Sequence, residues 1–488
     1  MEIYNAFINY VNALVGKNQE FEDLLNNGDI SAALQMMESN KDKALSAIKE
    51  YDADTHEITK RADKVVKSKN GERIDVRKTW KLPVSYQRYI NEIALVFLFG
   101  QPVKWVQTSE GTDNAFMKFN EVLKRTRFNA KLRECKRIAG SETESAMLFR
   151  VFKDADNKPD VQIRVLAHSK GDEIYTRWDN FENLLSVAWG YYAKEGTETV
   201  QHLEIYTSKT TYHCKKKSLG WEVIQEPNLI GKIPVIVFQQ EKEWKGAEAL
   251  IHREEYIASR TADTNDYFAD PVAVMSADVV KNMPNKDEAG KLLIASPNAG
   301  VNDSVKYLTW DSAPESKRQE IEWLESQILS KTFTPNITLD TLKSLSNLSG
   351  KALRIVMLLA DIKASKHKEV YDEMLDRTAS LISSIIGNVL DISIKGECEN
   401  LAVEHEYQEP FGDDVADTLN NLTRSVDSGL LSTETAVEMN PLVKDPLREM
   451  ARINGEEEAS RQKQEDIFGV GSYVTRTKSE GGNGEDDV

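Results

Sequence analysis

Few cysteines, no long apolar run, no surplus of basic charge and no complete phosphate-binding loop: each shortage in this chain of 488 residues closes a class of function. The three cysteines, Cys135, Cys214 and Cys398, stand far apart in no paired spacing. Neither a disulfide framework nor a zinc site is indicated, and synthesis in a reducing cytoplasm fits. The longest strongly apolar run, IALVFLFG from Ile93, falls well short of the roughly 20 residues that a membrane helix needs. The start, MEIYNAFINYVNALVG, has an amphipathic pattern without a basic opening or a small-residue cleavage site, so it is not expected to be a secretory signal. A net charge of -17 argues against a broad basic surface that grips nucleic acid.

The stretch SLSNLSGKALRI, Ser344 to Ile355, resembles a nucleotide phosphate loop only in part. Such a loop needs a glycine five positions before its Gly-Lys, so that backbone amides can crowd around phosphate oxygens, and a Ser or Thr after the lysine to hold magnesium. Those positions hold Leu345 and Ala352. No G-x-S-x-G elbow, H-E-x-x-H helix or paired CxxC appears either, and acid-base pairs cannot be picked out of 79 acidic residues. No enzyme and no cofactor are expected.

What is present reads as a soluble α+β protein, predominantly helical, of two to four domains: 40% hydrophobic and 29% charged residues. Apolar positions recur every three or four residues through about residue 67, again up to Gly100 with Pro102 as a stop, and in a helix pair ending at Gly140. The period then changes. From Ser145 to Gln239, β-branched and aromatic stretches alternate with turn signals and predict a mainly β region. A polar helix of over twenty residues follows, with a thin seam of Trp244, Ala247, Ile251, Ala258 and Ala262. Such a helix is expected to be exposed or packed against equivalent copies. Three short strands are predicted between Pro271 and Asp311, too short to fold alone and therefore expected to pair between neighbouring copies. A second helix starts near Pro314 with Ile321, Leu324 and Ile328 on one face, and a patterned helix of roughly 60 Å runs from Lys351 to about Asp391. NLAVEHEYQ then reads as a strand, helices follow, and the Gly- and charge-rich end is expected to be disordered.

The order of these elements, with NEIALVFLFGQPV, GKIPVIVF, TPNITLDTLKSLSNLSGKALRI and DSGLLSTETAVEMNPLVKDPLREMARI, resembles the portal protein family of long-tailed double-stranded DNA bacteriophages over about residues 50 to 458. That resemblance implies a portal fold assembled as a ring of twelve subunits at one capsid vertex, through which DNA is packaged and ejected. It implies a wing over 1-240, stem helices at 241-268 and 314-331, and a clip over 269-313. A tunnel loop would span 332-350, a long kinked helix 351-396, a return strand and crown helices 397-458, and a disordered tail 459-488. The implied partners are further copies of the chain, the DNA, the terminase large subunit, a head-tail adaptor, and the major capsid and scaffolding proteins. No membrane anchor is implied. The location would be the virion, after assembly in the host cytoplasm. The alternatives are another oligomeric connector or scaffold-like virion protein and, disfavoured by the broken phosphate loop, a DNA-acting packaging enzyme.

The resemblance places Thr338, Asp340, Lys343, Ser344, Ser346, Asn347 and Lys351 at the DNA channel, and Asn282, Asn285, Lys286, Asp287 and Glu288 in the clip that meets motor or connector. Lys331, Lys343 and Lys351 could meet phosphates, although flexible connections carry such solvated lysines without any ligand. HCKKKSLG, ending at Gly220, reads better as a hairpin turn dressed with exposed lysines than as a nucleic-acid patch. VEHEYQE around His405 alternates in the manner of a half-wet strand, and no second histidine stands at a metal-ligand spacing.

Overall fold

The computed structural model describes residues 19-67, 73-218, 220-269, 272-276, 291-295, 306-308, 314-337, 350-410, 415-443 and 445-460. The fold is α+β with helix predominant, at 53%. Two compact units are present, Met1–Leu348 with Ala352–Pro410, and Ser349–Lys351 with Phe411–Val488.

In the first unit, helices α1 (residues 19-26) and α2 (Ile30–Gln35) supply Phe21, Leu25, Ile30 and Ala33 to one face of a five-stranded sheet, against Ala188, Leu203, Ile205 and Tyr212. α3 (Lys41–Tyr51) follows, and then a β-ribbon of β1 (Lys64–Lys67) and β2 (Arg73–Arg77). The helical reading through residue 67 is corrected at this point, because Lys-Val-Val-Lys is β-branched at its centre and finds a strand partner nine residues on. α4 (Tyr86–Phe99) ends at the expected Gly100; β3 (Lys104–Gln107), α5 (Asp113–Arg125) and α6 (Phe128–Glu142) come next.

Gly140 is not the end of its helix. It lies inside α6, where a Cβ would overlap Asn91 Oδ1 of α4 and sit 3.0 Å from Glu243 Cγ, and the left-handed terminal position belongs to Thr143 at φ 67°. The glycine permits close helix approach, which its place after an apolar pattern cannot reveal.

The β region forms as expected from residue 144 to 239. β6 to β10 make an antiparallel sheet in order β10-β9-β8-β7-β6, covering Glu173–Trp178, Leu184–Glu195, Glu198–Tyr206, Thr210–Lys217 and Gly220–Pro227. β4 (Glu144–Lys153) lies between β5 (Pro159–Leu166) and β11 (Val235–Gln239) in a second sheet. Ala146, Leu148, Val187, Trp189, Val235 and Val237 close the space between the two sheets.

α7 (Glu248–Ala269) and α8 (Pro314–Lys331) follow, with β12 (Val272–Ser276), β13 (Lys291–Ala295) and β14 (Lys306–Leu308) between them in the chain. β12 pairs in parallel with β13 and antiparallel with β14, so the three expected strands pair within one chain. α9 (Gly350–Ile385) is 36 residues long and passes into a π-turn at Ile386–Leu390, a recognised cause of helix kinks. After α10 (Lys395–Asn400), β15 (Val403–Glu406) pairs with β3. The main core gathers α4, α5, α6, β4 and α9 around Phe99, Phe119, Phe128, Phe149, Phe238 and Tyr371.

The second unit contains α11 (Val415–Asp427), α12 (Thr433–Met439) and α13 (residues 446-460). Gly429, at φ 71°, turns the chain after α11, where Leu430 N donates to Ser425 O. Ser432 Oγ caps α12 by accepting from Thr435 N at 3.1 Å.

Candidate functional site: the platform under α7, α8 and α9

Of the expected seam, Trp244, Ala247 and Ile251 are buried, in a cluster with Ala47, Ile90 and Ile328 of α8. Trp244 and Ala247 precede α7 rather than lie on it, and Ala258 and Ala262 are only partly covered. Much of the rest of the contact is polar and internal to the chain, with Ile257 also buried, so one face of a helix expected to be exposed or packed against equivalent copies is covered by its own chain. Glu255 accepts from Val84 N at 2.9 Å and faces His56 Nδ1 at 2.6 Å. Ser259 Oγ accepts from Leu82 N at 2.9 Å, and Asp263 accepts from Trp80 N at 2.8 Å and from Arg61 at 2.6 Å. A strand-like segment, residues 80 to 84, thus lies along α7 and has its backbone donors satisfied by α7 side chains.

His56 Nε2 faces Glu50 O at 2.7 Å while Nδ1 faces Glu255, so both ring nitrogens meet acceptors and both must donate. The Glu255 hydrogen bond accordingly raises the His56 pKa. Beside it, Glu254 accepts from Tyr86 OH at 2.9 Å, and its other oxygen is buried without a hydrogen-bond partner. Burial, with Glu325 and Glu255 nearby, pushes Glu254 up to about 7. An acid whose folded pKa exceeds its unfolded value, here near 4.5, loses stability for the chain as pH rises between the two. For His56 the contribution is complete below about 6.5 and is lost as pH rises through its raised folded value, so the two groups act in the same direction. Glu254→Gln, which keeps an acceptor for Tyr86, is therefore expected to stabilise the chain at about pH 8 by on the order of 1 kcal/mol after solvent screening, and to change little near pH 4. Urea midpoints at the two pH values measure this; equal effects at both would refute the assignment.

α8 ends where Phe333 turns left-handed at φ 50° and Thr334 N donates to Leu329 O at 2.9 Å. Tyr89 of α4 then grips the departing chain twice: its hydroxyl donates to Pro335 O at 2.8 Å and accepts from Ile337 N at 2.9 Å. Asn336 reaches back to Glu325 at 3.1 Å. Ile337 joins a cluster of Phe97 and Ile93 from α4 with Met357, Ala360 and Ala364 from α9. The chain therefore leaves α8 and re-enters α9 against the same helix, α4.

A buried ionic knot fixes α9 farther along. Glu243, just after β11, is buried with its carboxylate on Lys136 of α6, on Lys363 at 2.8 Å and on His367 at 3.0 Å. Gln240 Oε1 accepts from Lys136 at 3.0 Å and from Tyr371 OH at 2.8 Å. Burial alone would raise the Glu243 pKa, but the lysines and the His367 hydrogen bond hold it well below the usual carboxylate range. Sequence reading missed this knot because its members come from three widely separated segments.

The channel residues expected from sequence, Thr338, Asp340, Lys343, Ser344, Ser346 and Asn347, lie outside the described residues, as do Asn282, Asn285, Lys286, Asp287 and Glu288 and the tail from 461. Lys351 falls in the first turn of α9, its side chain outside the description, and Lys331 is exposed at the end of α8. His405 of β15 points its two ring nitrogens at Asp372 (3.1 Å) and Asp376 (3.2 Å) of α9, so its alternating strand serves an ionic contact to the long helix. The lysines of HCKKKSLG do dress a hairpin, β9 to β10.

A family model for phage portal proteins of the SPP1 Gp6-like type matches residues 33-463. The chain belongs to this family. Phage portal proteins are structural components of the virion. The portal protein of Bacillus phage SPP1 is 22% identical over 309 residues, which are 57% of this chain and 58% of that protein, so the match spans little more than half of the relative's length. A chain from the neck of a native GTA particle, computed with C12 symmetry, covers 73% of this chain and 90% of its own length at 9% identity with a TM-score of 0.40, too loose a likeness to carry an argument.

Proposed function

We propose that this chain is the subunit of a portal ring at one capsid vertex, through which double-stranded DNA is packaged and later ejected. The observation that carries this reading is the family match across residues 33-463. Residues 241-268 and 314-331 serve as stem and 269-313 as clip, where Asn282, Asn285, Lys286, Asp287 and Glu288 meet the terminase large subunit and then the head-tail adaptor. Residues 332-350 line the channel, with Thr338, Asp340, Lys343, Ser344, Ser346, Asn347 and Lys351 towards the DNA. The grip on both flanks of residues 338-349 suits a segment that meets a moving duplex while its supports stay fixed. An acidic chain also suits a conduit, since each lysine-phosphate contact would add drag.

Twelve copies form the ring. Exposed Trp323 on α8 and Leu358 and Ile362 on α9 are surfaces of the kind that neighbouring copies cover. Purified protein is expected to show closed rings with a central channel in negative-stain images, at about twelve times the chain mass of 55.2 kDa. A monodisperse monomer across a wide concentration range would contradict the reading.

A further inference from the structure

We infer that a cavity between α3, α4 and α7 binds a linear aliphatic diamine or polyamine. The site lies within one chain and does not depend on ring formation or on the channel. Its volume is about 480 Å³, inside the roughly 300–1,000 Å³ usual for small-molecule sites. Glu50 of α3, Glu57 of the turn that follows, Gln87 of α4, and Glu248, Ile251 and Glu255 of α7 are among its walls.

The interior offers hydrogen-bond acceptors whose donors are missing. Gln87 is only 5% exposed, and its Oε1 is buried without a hydrogen-bond partner. Glu50 gives Oε2 to Lys242 Nζ and to Trp244 Nε1 at 2.8 Å, and no donor among the described residues reaches its Oε1. Glu255, at 2% exposure, gives Oε1 to His56 and to Val84 N, which leaves Oε2 in the same condition. The nearby donors are already spent: His56 donates both ring hydrogens, to Glu255 and to Glu50 O, and the Thr55 hydroxyl donates to backbone carbonyls. Glu57 meets only His252, at 3.3 Å. Lys49 and Lys60 reach the cavity as exposed residues and make no bond to these acceptors. Covering an acceptor without a donor costs free energy, which a ligand N–H recovers.

An ammonium group is the complement of such a site, since it carries three donors and no acceptor. An anion would instead face Glu50, Glu57 and Glu255. The acceptors come from separate elements, and among the described residues no three His, Cys, Asp or Glu gather as metal ligands do. A cation that spans them must therefore be extended and carry more than one ammonium. Ile251 and Ala249 add apolar surface to the wall, on which the methylene chain between two ammonium groups can lie, as lysine stems do on protein surfaces. Gln87 needs only to turn about its last side-chain bond, a soft torsion, to offer its oxygen to the ligand.

The test is a calorimetric titration of the full-length protein with putrescine at fixed ionic strength. Saturable binding of one putrescine per chain is expected, with a Kd below about 1 mM, and none of its neutral analogue, butanediol. Gln87→Leu removes the orphaned acceptor without altering net charge, so it separates this site from general attraction to an acidic chain. It is expected to weaken binding about tenfold. Its thermal unfolding should match or exceed that of the parent, because the lost oxygen has no partner in the free protein. Glu57→Gln alters an 81% exposed side chain and is expected to fold like the parent and bind several-fold more weakly. The inference is overturned by an absence of saturable binding up to about 10 mM putrescine, or by butanediol binding as tightly. Parental affinity in a folded Gln87→Leu, or in Glu57→Gln should the first variant not fold, overturns it equally.

Discussion

Glu243→Ala is expected to cost about 3–5 kcal/mol, the range for a buried charge pair that loses one partner. The carboxylate is the common counter-ion of Lys136, whose side chain has no exposed surface, and of Lys363, which is nearly as well covered. Without it, two ammonium groups stay in a core that contains Phe99, Phe238 and Tyr371, with Gln240 as the remaining polar partner of Lys136. A domain is stable by only about 5–15 kcal/mol, so much of the chain should appear unfolded or insoluble. A denaturant midpoint measures the loss, and an unchanged midpoint would refute the role of the knot. The pH response separates this effect from simple loss of volume. Because Glu243 titrates below its unfolded value near 4.5, its contribution is present above that pH and disappears as pH falls through the folded pKa. Parent and variant should therefore converge in stability on acidification.

A variant shortened within Asp340 to Asn347 is expected to fold and assemble like the parent but to package no DNA, measured as DNA protected from nuclease inside heads. Assembly survives because the supports remain: Tyr89 keeps its two bonds to Pro335 and Ile337, and Met357, Ala360 and Ala364 keep their cluster with Phe97. Lys343→Ala should be milder, as one phosphate contact is a small part of the whole. Normal packaging by the shortened variant would reduce residues 338-349 to a connector.

Local rules reached the features that local chemistry decides. The end of α4 at Gly100, the strands from 144 to 239, the lysine-dressed β9-β10 turn and the long helix all follow from periodicity and turn residues within a few positions of each other. What stayed illegible depends on partners far away in the chain. The polarity of α7 suggested a face awaiting another copy, yet Glu255, Ser259 and Asp263 find their donors in residues 56 to 84. Gly140 passed for a helix end because nothing nearby shows that Asn91 approaches it. Glu243 was one acidic residue among 79 until Lys136, Lys363 and His367 converged on it. The proposed channel residues rest on family resemblance alone and lie, Lys351 apart, outside the described residues, since Ser, Asn and Gly in a loop carry no chemistry of their own.

Pro335 and Ile337 before residues 338-349, and Met357, Ala360 and Ala364 after them, are held on α4, which makes the interval between them a cassette with fixed ends. Closing a longer loop between fixed ends costs only about 0.6 kcal/mol for each doubling of its length. Related chains can thus lengthen, recolour or recharge the cassette without renegotiating the helices that frame it, so its composition should drift faster than that of Tyr89, Phe97 or Met357.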